Sequence, residues 1–298
     1  MSSTAPGGRG PSPEVVRRRR IVALGAVVGA VVVVVVAVVV AIPHVHHRTA
    51  LPPPPPPPTP FRIVFPEGFT RAQMEVRVKD VAAIARHKSH KPVKLNATAY
   101  ARSSRRAVVP CFKPRSQKNL EGFLFPATYD FLAATTGAQI AKDQLQAFCA
   151  NWSKVDLTYA RSKNLTDYDV LTIASMVEKE AVAPEERKLV AAVIYNRLHN
   201  RMPLGIDATI RYGRNVPGTE PLKQSDIESD NPYNTRKRLG LPPTPISNPG
   251  LASMRAAARP AKVDYLYFVR KPDGVHHFFT ASESEFCQKS LEYGFGGC

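Results

Sequence analysis

From Ile21 to Ile42 the chain runs IVALGAVVGAVVVVVVAVVVAI without a charged residue, directly after the four arginines Arg17–Arg20. About 20 consecutive apolar residues suffice to cross a bilayer as a helix, so residues 21–42 are expected to form a single-pass transmembrane helix. A cleaved signal peptide carries an apolar core of only roughly 7 to 15 residues, which makes this an uncleaved anchor. By the positive-inside rule the arginines stay in the cytoplasm, which makes residues 1–20 a cytoplasmic basic tail and places everything after Pro43 outside. Residues 43–60 then form a linker whose LPPPPPPPTP stretch (Leu51–Pro60) adopts polyproline II and spaces the folded part about 30 Å from the membrane.

That location decides how the charge is read. The formal net charge of +17 favours polyanions of any kind. An outward-facing domain does not meet the genome, and no nucleic-acid recognition motif is present, so nucleic acid is not expected as a partner. Anionic lipid headgroups and acidic cell-wall polymers remain. The four cysteines, Cys111, Cys149, Cys287 and Cys298, contain no CxxC pair, so zinc or thioredoxin-like chemistry has no local support, and two disulfides or free buried thiols are the alternatives. Four cysteines allow three connectivities; pairing the near neighbours Cys287 and Cys298 leaves Cys111 with Cys149. The HVHH run at His44–His47 has metal-ligand residue types but sits in the juxtamembrane linker.

The folded part begins near Phe61 and reads as α+β. FRIVFPEGFT suggests a short strand and a turn, and Met74, Val78, Val81 and Ile84 mark one face of the following helix. A basic, irregular stretch from His87 to Lys118 holds a second short helix near Asn96–Ser103. A small module over residues 61–120 is therefore expected before a larger domain over residues 121–298. In the latter, Ile140, Leu145 and Phe148 give a helix over Thr135–Ala150, and a further helix carries LTIASMVEKEAV, Leu171–Val182. Thr166 is its N-cap, with Asp169 closing a capping box, and Pro184 ends it or opens the next helix. Val170, Ala174, Val177 and Ala181 form its expected buried stripe. Glu178 and Glu180 lie about 200° apart on that helix, so they cannot act as a carboxylate pair, and periodicity does not say which of them matters.

The blocks LTIASMVEKEA, VAAVIYNRL, LGIDATIRYG, NPYNTRKRLGLPPTPISNPG, SMRAAARPAKVDYLYFV and DGVHHFF, in that order, resemble the YceG-like (MltG) family of endolytic murein transglycosylases, and PEGFT resembles that family's LysM-like subdomain. The resemblance implies a membrane-anchored lytic transglycosylase that cleaves the bond between N-acetylmuramic acid and N-acetylglucosamine in peptidoglycan and leaves a 1,6-anhydro end. It assigns the catalytic acid, which then serves as base, to the second glutamate of EKE, Glu180. Such an acid must keep its proton near neutral pH, which burial against apolar groups achieves. The same resemblance makes Asn196, Arg197, Asp207, Tyr212, Tyr233, Asn234, Thr235 and His276 candidate substrate contacts. Asn196, Arg197 and His276 are also plain structural hydrogen-bonders by type, and PYNT (Pro232–Thr235) can equally be a loop held by its own side chains. Where the family has Gln-x-Asp-Pro-Thr, this chain has Gly205 and Ala208 in the Gln and Pro places. No metal or organic cofactor is called for, and nothing supplies the phosphate cradle and Schiff-base lysine of a pyridoxal enzyme. The expected partners are peptidoglycan strands, the cell membrane and the cell-wall elongation or division machinery. The rival class is a non-catalytic, membrane-anchored wall-binding scaffold in which Glu180 is structural.

Overall fold

The computed structural model describes residues 13–41, 59–89, 91–112 and 119–296. The His44–His47 run, the proline run as far as Pro58, and Cys298 with its expected pairing to Cys287 lie outside those residues. The chain divides into two compact units at Pro57 and Pro58. In the first, helix α1 spans Pro13–Ala41, and its Arg17–Val40 portion is, among the described residues, the one helix long and apolar enough to cross a membrane. The valines between Arg17 and Val40 are exposed, so the helix is apolar all round. This is consistent with a single-pass anchor.

The second unit is mixed α+β. Strand β1 (Phe61–Val64) leads through the PEGFT turn into α2 (Arg71–Lys88), followed by α3 (Ala97–Ser103), β2 (Thr128–Phe131), α4 (Gly137–Trp152), α5 (Thr158–Ser162), α6 (Asp167–Glu180) and α7 (Arg187–His199). After these come α8 (Asp207–Arg214), α9 (Gln224–Ile227), α10 (Leu251–Ala258), the hairpin β3 (Tyr267–Arg270) and β4 (His277–Thr280), and α11 (Glu283–Glu292). The β1–β2 pair is antiparallel with Phe61 opposite Phe131, so it joins chain on either side of residue 120. That pairing was not legible in the aromatic run EGFLFPATYDF, which breaks the period-two pattern at Pro126.

Helix starts follow side-chain chemistry. Thr70 with Gln73 and Thr166 with Asp169 both close capping boxes, satisfying first-turn N–H groups of α2 and α6. Asn96 caps α3, its side chain accepting the Ala99 N–H. The buried face of α2 differs from expectation. It runs through Met74, Val78, Ala82 and Ala85, while Ile84 is 55% exposed. Small alanines there let α2 approach its neighbours, and the larger apolar side chain is left outside.

Helix α6 also departs from its expected stripe: every residue from Val170 to Val177 is buried. It is enclosed because α10, α7 and α8 pack around it, and its polar residues are used internally. Ser175 Oγ donates to the Thr172 carbonyl and accepts the Ile246 N–H, while Ser247 Oγ donates to the Ser175 carbonyl. A helix so enclosed carries heavy packing energy; truncating Leu171, Ile173 or Met176 to Ala would cost about 2–5 kcal/mol each. A disulfide between Cys111 and Cys149, with Cα atoms 5.5 Å apart, ties the basic segment to α4 beside Phe112, Phe123, Phe148 and Trp152. Closing a loop of that length stabilises the fold by about 3–4 kcal/mol through the unfolded chain.

Candidate active site

The last turn of α6 delivers both glutamates, and their surroundings separate them. Glu178 Oε2 accepts the Gly250 N–H at 2.9 Å, which joins the helix to the proline-stiffened loop 240–250. The PEGFT turn closes over the same spot. Gly68, at φ +76°, donates its N–H to the Asn248 carbonyl, and its Cα approaches Glu178 closely enough that a Cβ would sit 3.5 Å from Glu178 Cγ. Glu67 lies beside Glu178, and its carboxyl is pushed up by burial first and by the Glu178 charge second. Glu178 is thus part of a structural junction.

Glu180 instead lines a cleft of about 1290 Å³. Burial pushes its carboxyl up to about 7, and the Asp207 carboxylate adds to the rise; Arg270, the Ala208 N–H and Lys179 oppose it. A carboxylic acid with these neighbours keeps a proton at neutral pH and can also hold the carboxylate once it has given that proton away. Asp207 opens α8 and is ion-paired to Arg236 at 2.8 Å. The start of α8 is held by Thr209 and Thr235, whose hydroxyls are 2.9 Å apart, and by the Ile206 N–H donating to Thr235 Oγ1.

Tyr212 and Tyr233 form part of the same wall, with ring centroids 5.1 Å apart. The Tyr233 hydroxyl is 2.9 Å from Thr244 Oγ1, and the Tyr212 hydroxyl donates to Glu121 Oε2 at 3.1 Å. Glu121 is a second buried carboxyl in this lining, accepting from the Arg71 N–H and from Asn248 Nδ2. Burial pushes it up to about 7 against those hydrogen bonds. Arg71, Arg77, Lys179, Arg211 and Arg270 share the lining with the carboxyl groups of Asp80, Glu121, Glu180 and Asp207.

The remaining sequence candidates are placed elsewhere. Asn234 is fully buried and donates to the Ile227 and Ser229 carbonyls, so with Thr235 it builds the loop instead of facing the cleft. Asn196 donates to the Val263 and Tyr265 carbonyls, and Arg197 donates to those of Leu266, Pro203 and Leu204 beneath the Tyr267 ring. These side chains secure the approach to β3, Asn196 through Nδ2 and Arg197 through Nε and Nη1. His276 lies in the hairpin turn, bonded to Asp273 at 2.9 Å and near Glu185, outside the cleft lining. Its neighbour His277 lines the cleft. Among the described residues no group of three His, Cys, Asp or Glu side chains is placed to hold a metal ion.

Glu121, Phe268, Arg270 and His277 were not singled out from sequence. Glu121 had one signal, a lone acid at the head of an apolar aromatic run. His276 ends the hairpin turn and His277 opens β4, so these adjacent histidines have different surroundings.

The profile of the YceG-like family matches residues 49–290. The endolytic murein transglycosylase of Bacillus subtilis (strain 168) is 39% identical over 166 residues, covering 55% of this chain and 45% of that protein. The protein of the same name from Streptococcus pneumoniae (strain D39) is 36% identical over 210 residues, covering 69% of this chain and 36% of its own length. The chain therefore spans less than half the length of these curated relatives. A crystal structure of a YceG-like protein from Listeria monocytogenes superposes with a TM-score of 0.62 at 32% identity, over 76% of this chain and 74% of that one. With the fold, the ordered motifs and the profile match in agreement, the chain belongs to the YceG-like family.

Proposed function

We propose that this protein is a peptidoglycan lytic transglycosylase that cleaves the glycosidic bond between N-acetylmuramic acid and N-acetylglucosamine within glycan strands, with Glu180 as acid and then base. The observation that carries the reading is Glu180 itself: a cleft carboxyl that burial and Asp207 push up to about 7 at the end of a rigid, enclosed helix. The names of the Bacillus and Streptococcus relatives support the same substrate and reaction.

The chemistry balances without water. The Glu180 carboxyl proton passes to the glycosidic oxygen, which leaves as the 4-hydroxyl of N-acetylglucosamine. The C6 hydroxyl oxygen of N-acetylmuramic acid bonds to its own C1, and the hydroxyl proton goes to the Glu180 carboxylate, restoring the acid. One carboxyl acting twice suffices, which accords with Glu178 being occupied by Gly250. Asp207, Tyr212 and Tyr233 line the cleft, and in this reading they contact the glycan, the tyrosine rings offering stacking area. In this reading Arg17–Arg20 stay cytoplasmic, α1 anchors the protein, and residues beyond the proline spacer face the wall. Residues 61–120 supply a LysM-like glycan-binding module, residues 121–298 the catalytic domain, and wall elongation or division proteins are the expected company.

The test is mass spectrometry of peptidoglycan incubated with detergent-solubilised full-length protein, wild type beside Glu180→Gln. Fragments with 1,6-anhydro ends from wild type alone support the proposal. Reducing ends would mean hydrolysis by a water-activating base, and wall binding without any product would mean a scaffold.

A further inference from the structure

The hairpin β3–β4 places one buried histidine where the proposed mechanism has no use for it. Arg270 stands directly opposite His277, and Phe268 opposite Phe279, so period two puts these four side chains on one face of the hairpin. Phe268, Arg270 and His277 from that face line the cleft with Glu180. The His277 and Glu186 side chains are only 2% and 7% exposed. Glu186 is bound to this one residue twice: Oε2 lies 2.7 Å from His277 Nδ1, and Oε1 accepts the His277 backbone N–H at 2.9 Å.

A carboxylate only accepts, so Nδ1 carries a ring proton, and in the neutral imidazole the lone pair is then at Nε2. Among the described residues Nε2 has no hydrogen-bond partner, and the side-chain atoms that are both sealed from solvent and unbonded there are Arg187 Nε and Ser253 Oγ. Nε2 is not among those sealed atoms, and the residue that carries it lines the cleft. The Phe268 ring, 5.3 Å from the imidazole between centroids, borders it. A fixed acceptor beside an aromatic surface is complementary to an acetamido group, whose N–H donates while its methyl packs on the ring.

We propose that His277 recognises an N-acetyl group of the glycan by accepting its amide N–H at Nε2, with Glu186 as the positioning residue that fixes the tautomer. This rests on the transglycosylase reading for its substrate. It gives Glu186 a role that no interaction with substrate would reveal, since it acts through the ring.

Glu186→Gln is the discriminating variant because it keeps size and shape while reversing one polarity. The new side-chain amide, its oxygen still accepting the His277 backbone N–H, would donate from its nitrogen to the ring Nδ1, moving the ring proton to Nε2 and presenting a donor to a donor. The experiment uses full-length protein in detergent, labelled with nitrogen-15 histidine, with N-acetylated, peptide-free glycan oligomers added in a Glu180→Gln background that prevents turnover. The expected result is an unprotonated His277 Nε2 whose resonance moves on adding glycan, and a proton on Nε2 in Glu186→Gln. In the active background, Glu186→Gln should raise KM about tenfold with little change in kcat and an unchanged unfolding midpoint, the scale of one hydrogen bond lost and opposed. A resonance indifferent to glycan, or a wild-type KM in Glu186→Gln, overturns the proposal. Failure of the transglycosylase reading would be seen separately, as absence of cleavage by wild type, while the resonance still reports whether glycan meets His277.

Discussion

Glu178 accepts the Gly250 N–H at 2.9 Å, whereas Glu180, two residues further along α6, opens into the cleft. One helix end thus holds a carboxylate bonded to the 240–250 loop and another that lines the cleft. Glu178→Ala should lower stability by about 1–3 kcal/mol by stripping Gly250 of its acceptor, with kcat changed only modestly. Glu180→Gln should leave the unfolding midpoint unchanged or higher and lower kcat by about 10²–10⁴-fold. Thermal unfolding and product assays on the same preparations decide this; comparable activity losses for both variants would defeat the division of roles.

Activity should depend on pH through Glu180. The acid must be protonated to begin the reaction, and its carboxyl lies at about 7, so kcat/KM should fall as pH rises through that value. Asp207 is the charge that helps hold it there, and Asp207→Asn removes that charge while leaving Arg236 unpaired nearby. Both effects favour the Glu180 carboxylate, so the falling limb should move to lower pH. A profile that stays in place would mean that Asp207 does not act on Glu180.

Glu121 gives stability its own pH dependence. Its folded-state value is raised from 4.5 to about 7, so between those values the native state holds more protons than the unfolded chain. Its contribution is complete below about 4.5 and is lost as pH rises through about 7, to the extent of about 3 kcal/mol. Glu121→Gln keeps an acceptor for the Arg71 N–H and Asn248, and lets the amide donate to Tyr212. Unfolding midpoints at pH 5 and pH 8 should differ less in this variant than in wild type; an equal difference in both would show that Glu121 is not titrating.

Helix α4 begins where α3 touches it most closely. A Cβ on Gly137 would lie 2.3 Å from the Asn96 carbonyl oxygen and 2.7 Å from the Tyr100 nitrogen, both backbone atoms that cannot turn aside. Gly137→Ala should therefore destabilise the second unit by more than about 2 kcal/mol through forced separation of the helices, although alanine is the better helix former. An unfolding midpoint at or above that of wild type would contradict the close approach.

Local chemistry was legible in the sequence wherever a few neighbouring residues decide the outcome. The α1 run, the short helix after Asn96 and the capping box at Thr166 all follow from composition or spacing over a few turns. Opposite flanks for Glu178 and Glu180 followed from helix geometry alone, and ordered motifs pointed to the family. What lay beyond reach was set by partners distant in the chain. Glu178 is structural because Gly250, 72 residues away, donates to it. Glu121 is a cleft carboxyl because Arg71, Tyr212 and Asn248 converge on it. His277 rather than His276 faces the cleft because β4 pairs with β3 in one register, and Glu186, 91 residues back, then meets its ring. Backbone preference acts over one turn or one strand, whereas burial, tautomer and the proton held by a carboxyl depend on which side chains the finished fold brings within about 3–4 Å.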